Sequence, residues 1–146
     1  MSERGTPPAS SAEARRRMQT TRQRDTAAEV LIRRRLHARG LRFRVDRRLL
    51  PESTRRADIV FASARVAVFI DGCFWHSCPI HRTSPRANRQ WWADKLARNR
   101  RRDEDTTRRL QAAGWLVVRI WEHEAPAEAA TRIARAVRGR LRRLFR

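Results

Sequence analysis

The chain predicts a mixed α/β domain in which helices pack on a sheet. Two patterns and one bound lead to that class. Short apolar, β-branched runs at 57–61, 65–70 and 115–121 have the length of buried strands. Longer stretches with helical spacing lie before, between and after them, each with a start or stop signal. At 146 residues there is room for about one core, so a single domain is expected.

Residues 1–24 are rich in Ser, Thr, Pro, Glu and Arg and lack apolar periodicity, which describes a basic arm; Met18 is its notable apolar residue. The domain then spans 25–146. Thr26-Ala27-Ala28-Glu29 matches a capping box, Val30, Leu31 and Leu36 follow at helical spacing, and Gly40 stops a helix over about 26–38. Alternating apolar and basic residues at 41–45 predict a half-buried strand, broken by the polar stretch 51–56. The runs 57–61 and 65–70, joined by Ala62-Ser63-Ala64, predict a hairpin or two neighbouring strands. A helix over about 88–113 carries Trp91, Trp92, Leu96 and Leu110 and has Gly114 as its stop signal. Its middle is almost wholly charged. Residues 115–121 predict another buried strand, and Pro126 opens a last helix with Ile133, Val137, Leu141 and Leu144 on one face. No internal repeat is present.

Thirty-five basic residues against 15 acidic ones give a formal charge of +20 and a pI near 11.9. That excess calls for a polyanionic partner, and nucleic acid is the leading candidate. Lys95 is the only lysine, so the charge is nearly all arginine, whose planar fork suits phosphates and guanine edges. Arginine-rich coding bias would explain Arg over Lys but not so large a net excess. No apolar run approaches the ~18 residues that span a bilayer, and the N-terminus lacks a signal-like apolar stretch. The expectation is a soluble, cytoplasmic protein with no membrane partner.

The segment 71–81 holds both cysteines, two of the four histidines and an aromatic pair, directly after the most apolar run of the chain. Cys73, Cys78 and His81 have C-x4-C-x2-H spacing, and His123, just past a strand end, is the best fourth ligand for a closed structural zinc site. The bland alternative is two buried cysteines and surface histidines. His76 is left over from that set, with a near-neutral pKa suited to a general base. Phe74 and Trp75 are either core aromatics beneath the loop or apolar wedges that enter a DNA stack, with Met18 a possible third wedge.

Acidic residues are scarce here. Asp58 interrupts an apolar strand, where an unpaired carboxylate is costly and a bound cation would remove the cost. Phosphodiester hydrolysis commonly uses Mg²⁺ held by carboxylates and a backbone carbonyl. Asp58 and the end of the next strand could supply those ligands. Glu29 either completes its capping box or serves catalysis, Asp103 either pairs with arginines on a solvated helix face or faces the site, and Asp71 may only end its strand in an Asp-Gly turn.

Phe69-Ile70-Asp71-Gly72-Cys73-Phe74-Trp75-His76, with Asn99 to Asp103, Ala113-Gly114-Trp115 and Trp121-Glu122 downstream, resembles the very-short-patch repair (Vsr) DNA mismatch endonucleases over about 17–124. The resemblance implies a fold similar to type II restriction endonucleases, of PD-(D/E)XK type, and nicking 5′ to the thymine of a T:G mismatch left by deaminated 5-methylcytosine. It also implies that Asp58 and the Ile70 main-chain carbonyl hold Mg²⁺, and that Asp103 holds metal-bound water. His76 would be the general base and Glu29 an assisting group. Phe74, Trp75 and Met18 would intercalate, and Cys73, Cys78, His81 and His123 would bind structural Zn²⁺. The chain departs from the pattern at Ile70-Asp71, where some members carry Thr-His, and at Ala57, often proline. His123 stands where cysteine is common, and His81 is displaced by one residue. The expected protein is therefore a monomeric nickase of double-stranded DNA, linked functionally to a cytosine-5 methyltransferase. A zinc-stabilised binding module without catalysis and a restriction-type nuclease on the same fold are the rival readings.

Overall fold

The computed structural model describes residues 26–72 and 88–145. Residues 1–25, 73–87 and 146 lie outside the described residues. Helix α1 (Ala27–Ala38) leads into strands β1 (Arg44–Arg48), β2 (Arg56–Phe61) and β3 (Val66–Asp71), followed by α2 (Arg89–Ala112), β4 (Leu116–Trp121) and α3 (Pro126–Leu144). The sheet order is β1-β2-β3-β4, antiparallel at the first two pairings and parallel at β3/β4. Parallel neighbours need a crossover, and α2 provides it.

Both sheet faces are covered. Ile32 and Leu36 of α1 and Ile133 and Val137 of α3 pack on Ile59, Phe61, Val66, Val68 and Ile120. On the other face Leu110 of α2 packs with Val60, Ala67 and Phe69. This explains why β3 reads as a continuous apolar run: Val66, Ala67 and Val68 are each fully buried, because successive side chains enter different cores. The predicted hairpin is β2–β3, turning through 62–65.

Two expectations shift. The first strand runs over 44–48, not 41–45. Leu41 and Phe43 do pack against the core, with Phe43 stacked on His37 at 4.5 Å between ring centroids, but hydrogen bonding to β2 selects the later, more polar residues. In α3 the apolar stripe ends early. Leu141 is partly buried, whereas Leu144 is 46% exposed because it lies beyond the core. Gly40 and Gly114 have φ of +78° and +92° and close α1 and α2, a conformation in which glycine carries no Cβ strain. Among the described residues, no helix is long and apolar enough to cross a membrane.

Candidate active site

The β2–β3 ladder ends at Ile59↔Val68, and Asp58 sits at the next position. Its Oδ2 accepts the main-chain N–H of Ile70 at 2.7 Å, so a carboxylate takes a donor that a strand carbonyl would otherwise receive. Two further carboxyls converge there, Glu29 from α1, which hydrogen-bonds with Asp58, and Asp71 from the end of β3. Burial first, then the Glu29 hydrogen bond, push the Asp58 carboxyl up to about 8 from its ordinary 3.8, with repulsion from Glu29 and Asp71 adding and the Ile70 N–H opposing.

Glu29 takes part in two contacts, one through its main chain and one through its side chain. The Oγ1 of Thr26 accepts the Glu29 N–H at 3.3 Å, which is the helix cap, and the same residue reaches Asp58. Capping therefore fixes the helix start that delivers Glu29 to the sheet.

Asp103 does not lie on a solvated helix face. It is 8% exposed, and its carboxylate pairs with Arg55, which precedes β2 in the chain. The reason is tertiary: the charged middle of α2 crosses the sheet end, so one of its acids turns inward. Burial pulls the Arg55 guanidinium below its ordinary pKa, with repulsion from Arg102 and Arg119, while Asp71 and Asp58 act in the opposite sense.

Arg119 was not anticipated as a site residue. It is the one charged residue within the apolar run of β4, and that break is the sequence signal that would have found it. Its Nη1 donates to Asp71 Oδ1 and Oδ2 at 3.0 and 3.2 Å, its Nη2 to the Asp103 carbonyl at 3.1 Å, and its Nε to Thr107 Oγ1 at 3.0 Å. The guanidinium also lies 4.5 Å from the centroid of the Phe69 ring.

His123 is exposed and stacks beside Trp121, with ring centroids 6.4 Å apart. Trp121 is the register partner of Asp71, and the Glu122 N–H donates to the Asp71 carbonyl at 2.9 Å. His123 thus leaves the sheet at the end from which the chain runs on towards Cys73. Among the described residues, no group of three His, Cys, Asp or Glu is arranged to hold a metal ion. Met18, Cys73, Phe74, Trp75, His76, Cys78 and His81 lie outside the described residues.

The structure thus brings Glu29, Asp58, Ile70 and Asp71 together, and ties Asp103 to them through two arginines. A basic α/β domain with buried carboxyls at one sheet end fits a nuclease-like protein. The sequence pattern of the family described as DNA mismatch endonuclease Vsr matches residues 9–82. The Type II nicking enzyme V.NaeI of Lentzea aerocolonigenes is 43% identical over 120 residues, covering 81% of this chain and 72% of the relative. V.XorIIP of Xanthomonas oryzae is 40% identical over 109 residues, covering 73% and 77%. The DNA mismatch endonuclease Vsr of Escherichia coli is 38% identical over 101 residues, covering 68% and 62%. The chain belongs to the Vsr DNA mismatch endonuclease family, and is a DNA endonuclease.

Proposed function

We propose that this endonuclease nicks one strand of double-stranded DNA 5′ to the thymine of a T:G mismatch, using Mg²⁺, and so starts very short patch repair of deaminated 5-methylcytosine. The observation that supports this most is the Asp58 cluster. A buried carboxyl beside two others is unfavourable without a cation, and an all-oxygen donor set suits a hard divalent ion. The names of the relatives, nicking enzymes and a mismatch endonuclease, agree with a single-strand cut.

Asp58 and the Ile70 carbonyl would hold Mg²⁺ directly, and Asp103 through water. Bound there, the ion would neutralise charge on the scissile phosphate and acidify an attacking water. His76 would accept a proton from the attacking water as general base, and Glu29 would assist through its hydrogen bond with Asp58. Phe74, Trp75 and Met18 enter the stack beside the mismatch, which is the least costly place to open a duplex. Cys73, Cys78, His81 and His123 form the structural Zn²⁺ site, a reading that rests on their ligand chemistry and C-x4-C-x2-H spacing. The protein acts inside the cell as a monomer, alongside a cytosine-5 methyltransferase whose deaminated product supplies the mismatch.

Purified protein is incubated with Mg²⁺ and duplexes that differ only in one T:G or C:G pair, and the products are mapped at nucleotide resolution. One cut 5′ to the mismatched thymine is expected. Equal cleavage of the matched duplex, or cleavage without a divalent ion, rejects the reading. Zinc content near one ion per chain is expected in the same sample.

A further inference from the structure

We infer that Arg119 and Asp71 form a positioning pair that sets the Asp103-bearing helix against the strand ends that hold Asp58, an assignment that rests on the Mg²⁺ reading of the site. Neither residue touches the reacting atoms in this role. The contact path is continuous: Asp58 Oδ2 accepts from Ile70 N, Asp71 follows Ile70, Arg119 grips Asp71, and the same guanidinium holds the Asp103 carbonyl. Asp103 is thereby held at both ends, by Arg119 at its main chain and by Arg55 at its carboxylate.

The chemistry favours placement over mere stability. An arginine in a strand otherwise made of Leu116, Val117, Val118, Ile120 and Trp121 gives up apolar packing and is partly desolvated. Replacing a buried ion pair by well-packed apolar residues is often neutral or stabilising, so docking α2 does not by itself require one. What an apolar residue cannot do is hold three groups at fixed angles. The planar fork does: Nε reaches Thr107, Nη2 reaches Asp103 and Nη1 reaches Asp71, while Phe69 covers the flat face. Thr107 and Asp103 lie one helical turn apart, so both bonds fix the same turn of α2 in height and rotation. Asp71 in this arrangement is the counter-charge that orients Arg119, and is not itself a metal ligand.

The test uses the full chain with Arg119→Met, Arg119→Lys, Asp71→Asn and the Arg119→Met/Asp71→Asn double variant. Two readouts are taken: Mn²⁺ binding to DNA-free protein, from loss of the free-ion EPR signal, and single-turnover nicking of a T:G duplex in Mg²⁺. Arg119→Met and Asp71→Asn should each weaken Mn²⁺ binding and slow nicking by about 10-fold or more, as removal of an outer-shell partner does. Duplex affinity measured in Ca²⁺ should hold. The double variant should be no worse than the worse single one, because both changes cut the same link. Arg119→Lys should fall between, since an ammonium keeps the charge but loses the fork. Wild-type Mn²⁺ affinity in both single variants, losses that multiply in the double, or unfolding of both Arg119→Met and Arg119→Lys would each overturn the inference. Multiplying losses would make Asp71 an independent ligand, and unfolding would make Arg119 a structural residue only. A wild-type protein that neither nicks the T:G duplex nor binds Mn²⁺ overturns the functional reading itself, whereas a nicking wild type with unaffected variants overturns the pair alone.

Discussion

Two regions of the sheet are held by different physics, although both faces carry an apolar core. Towards α1 and α3 the contact is apolar: Ile32, Leu36, Ile133 and Val137 are almost wholly buried against Ile59, Val66, Val68 and Ile120. Towards the Asp103 end of α2 the contact is polar, built from Arg55, Arg119, Asp71, Asp103 and Thr107. The apolar face gains from area and tolerates small shifts at modest cost. The polar contact depends on direction, and it takes in Asp71 and Asp103. The two contacts differ in kind, and the site draws on both, since Glu29 reaches Asp58 from α1 while Asp71 and Asp103 belong to the polar contact.

The sharpest way to separate them is Asp58→Asn. Nicking of a T:G duplex should fall on the order of 10³-fold, about 4 kcal/mol of barrier, while urea unfolding in the absence of divalent ions at pH 8 shows no loss of stability. A variant that unfolds more readily at that pH contradicts the account of Asp58 as a strained carboxyl.

The same carboxyl should give stability a pH slope. With its folded pKa raised to about 8 from 3.8, the folded state keeps a proton that the unfolded state has already released. Its contribution is fully present below pH 3.8 and is lost as the pH rises through about 8, with a slope of at most about 1.4 kcal/mol per unit. Urea midpoints of divalent-free protein should therefore fall across that window more steeply than those of Asp58→Asn. Adding Mg²⁺ should remove most of the difference at pH 8.

On the apolar side, Ile133→Ala should cost about 2–5 kcal/mol in urea unfolding while leaving the nicking rate of folded protein unchanged. A selective loss of nicking, with stability intact, would mean that the apolar core around Ile133 and the carboxyl site are not separable. The smallest effect is expected at the cap: Thr26→Ala should cost about 1 kcal/mol, with a slight loss of nicking because the cap seats Glu29. Thermal unfolding and single-turnover rates on the same variant measure both.

Much of the fold is legible in the chain because local signals agree with the global arrangement. Thr26 and Gly40 bracket α1, Gly114 closes α2, Pro126 opens α3, and the unbroken apolar run of β3 announces a strand covered on both sides. Asp58 is legible for a related reason, since a carboxyl in an apolar strand is a local contradiction. The first strand is misplaced because alternation marks which residues touch the core, whereas pairing with β2 decides which residues form the ladder. The residues alone leave Asp103 open between a surface acid and a site residue, because nothing along α2 reveals that Arg55, 48 positions away, closes over it.

The sequence by itself determined that this is a basic α/β domain of the Vsr family, and which few acids stand in costly surroundings. Composition, capping and apolar periodicity are properties of neighbouring residues, so they survive without coordinates. Only the tertiary structure decided that Glu29 meets Asp58, that Asp71 answers Arg119, and that Arg55 and Arg119 hold Asp103 from two sides. Those contacts join residues far apart in the chain, and they depend on strand register and on where a crossover helix lands.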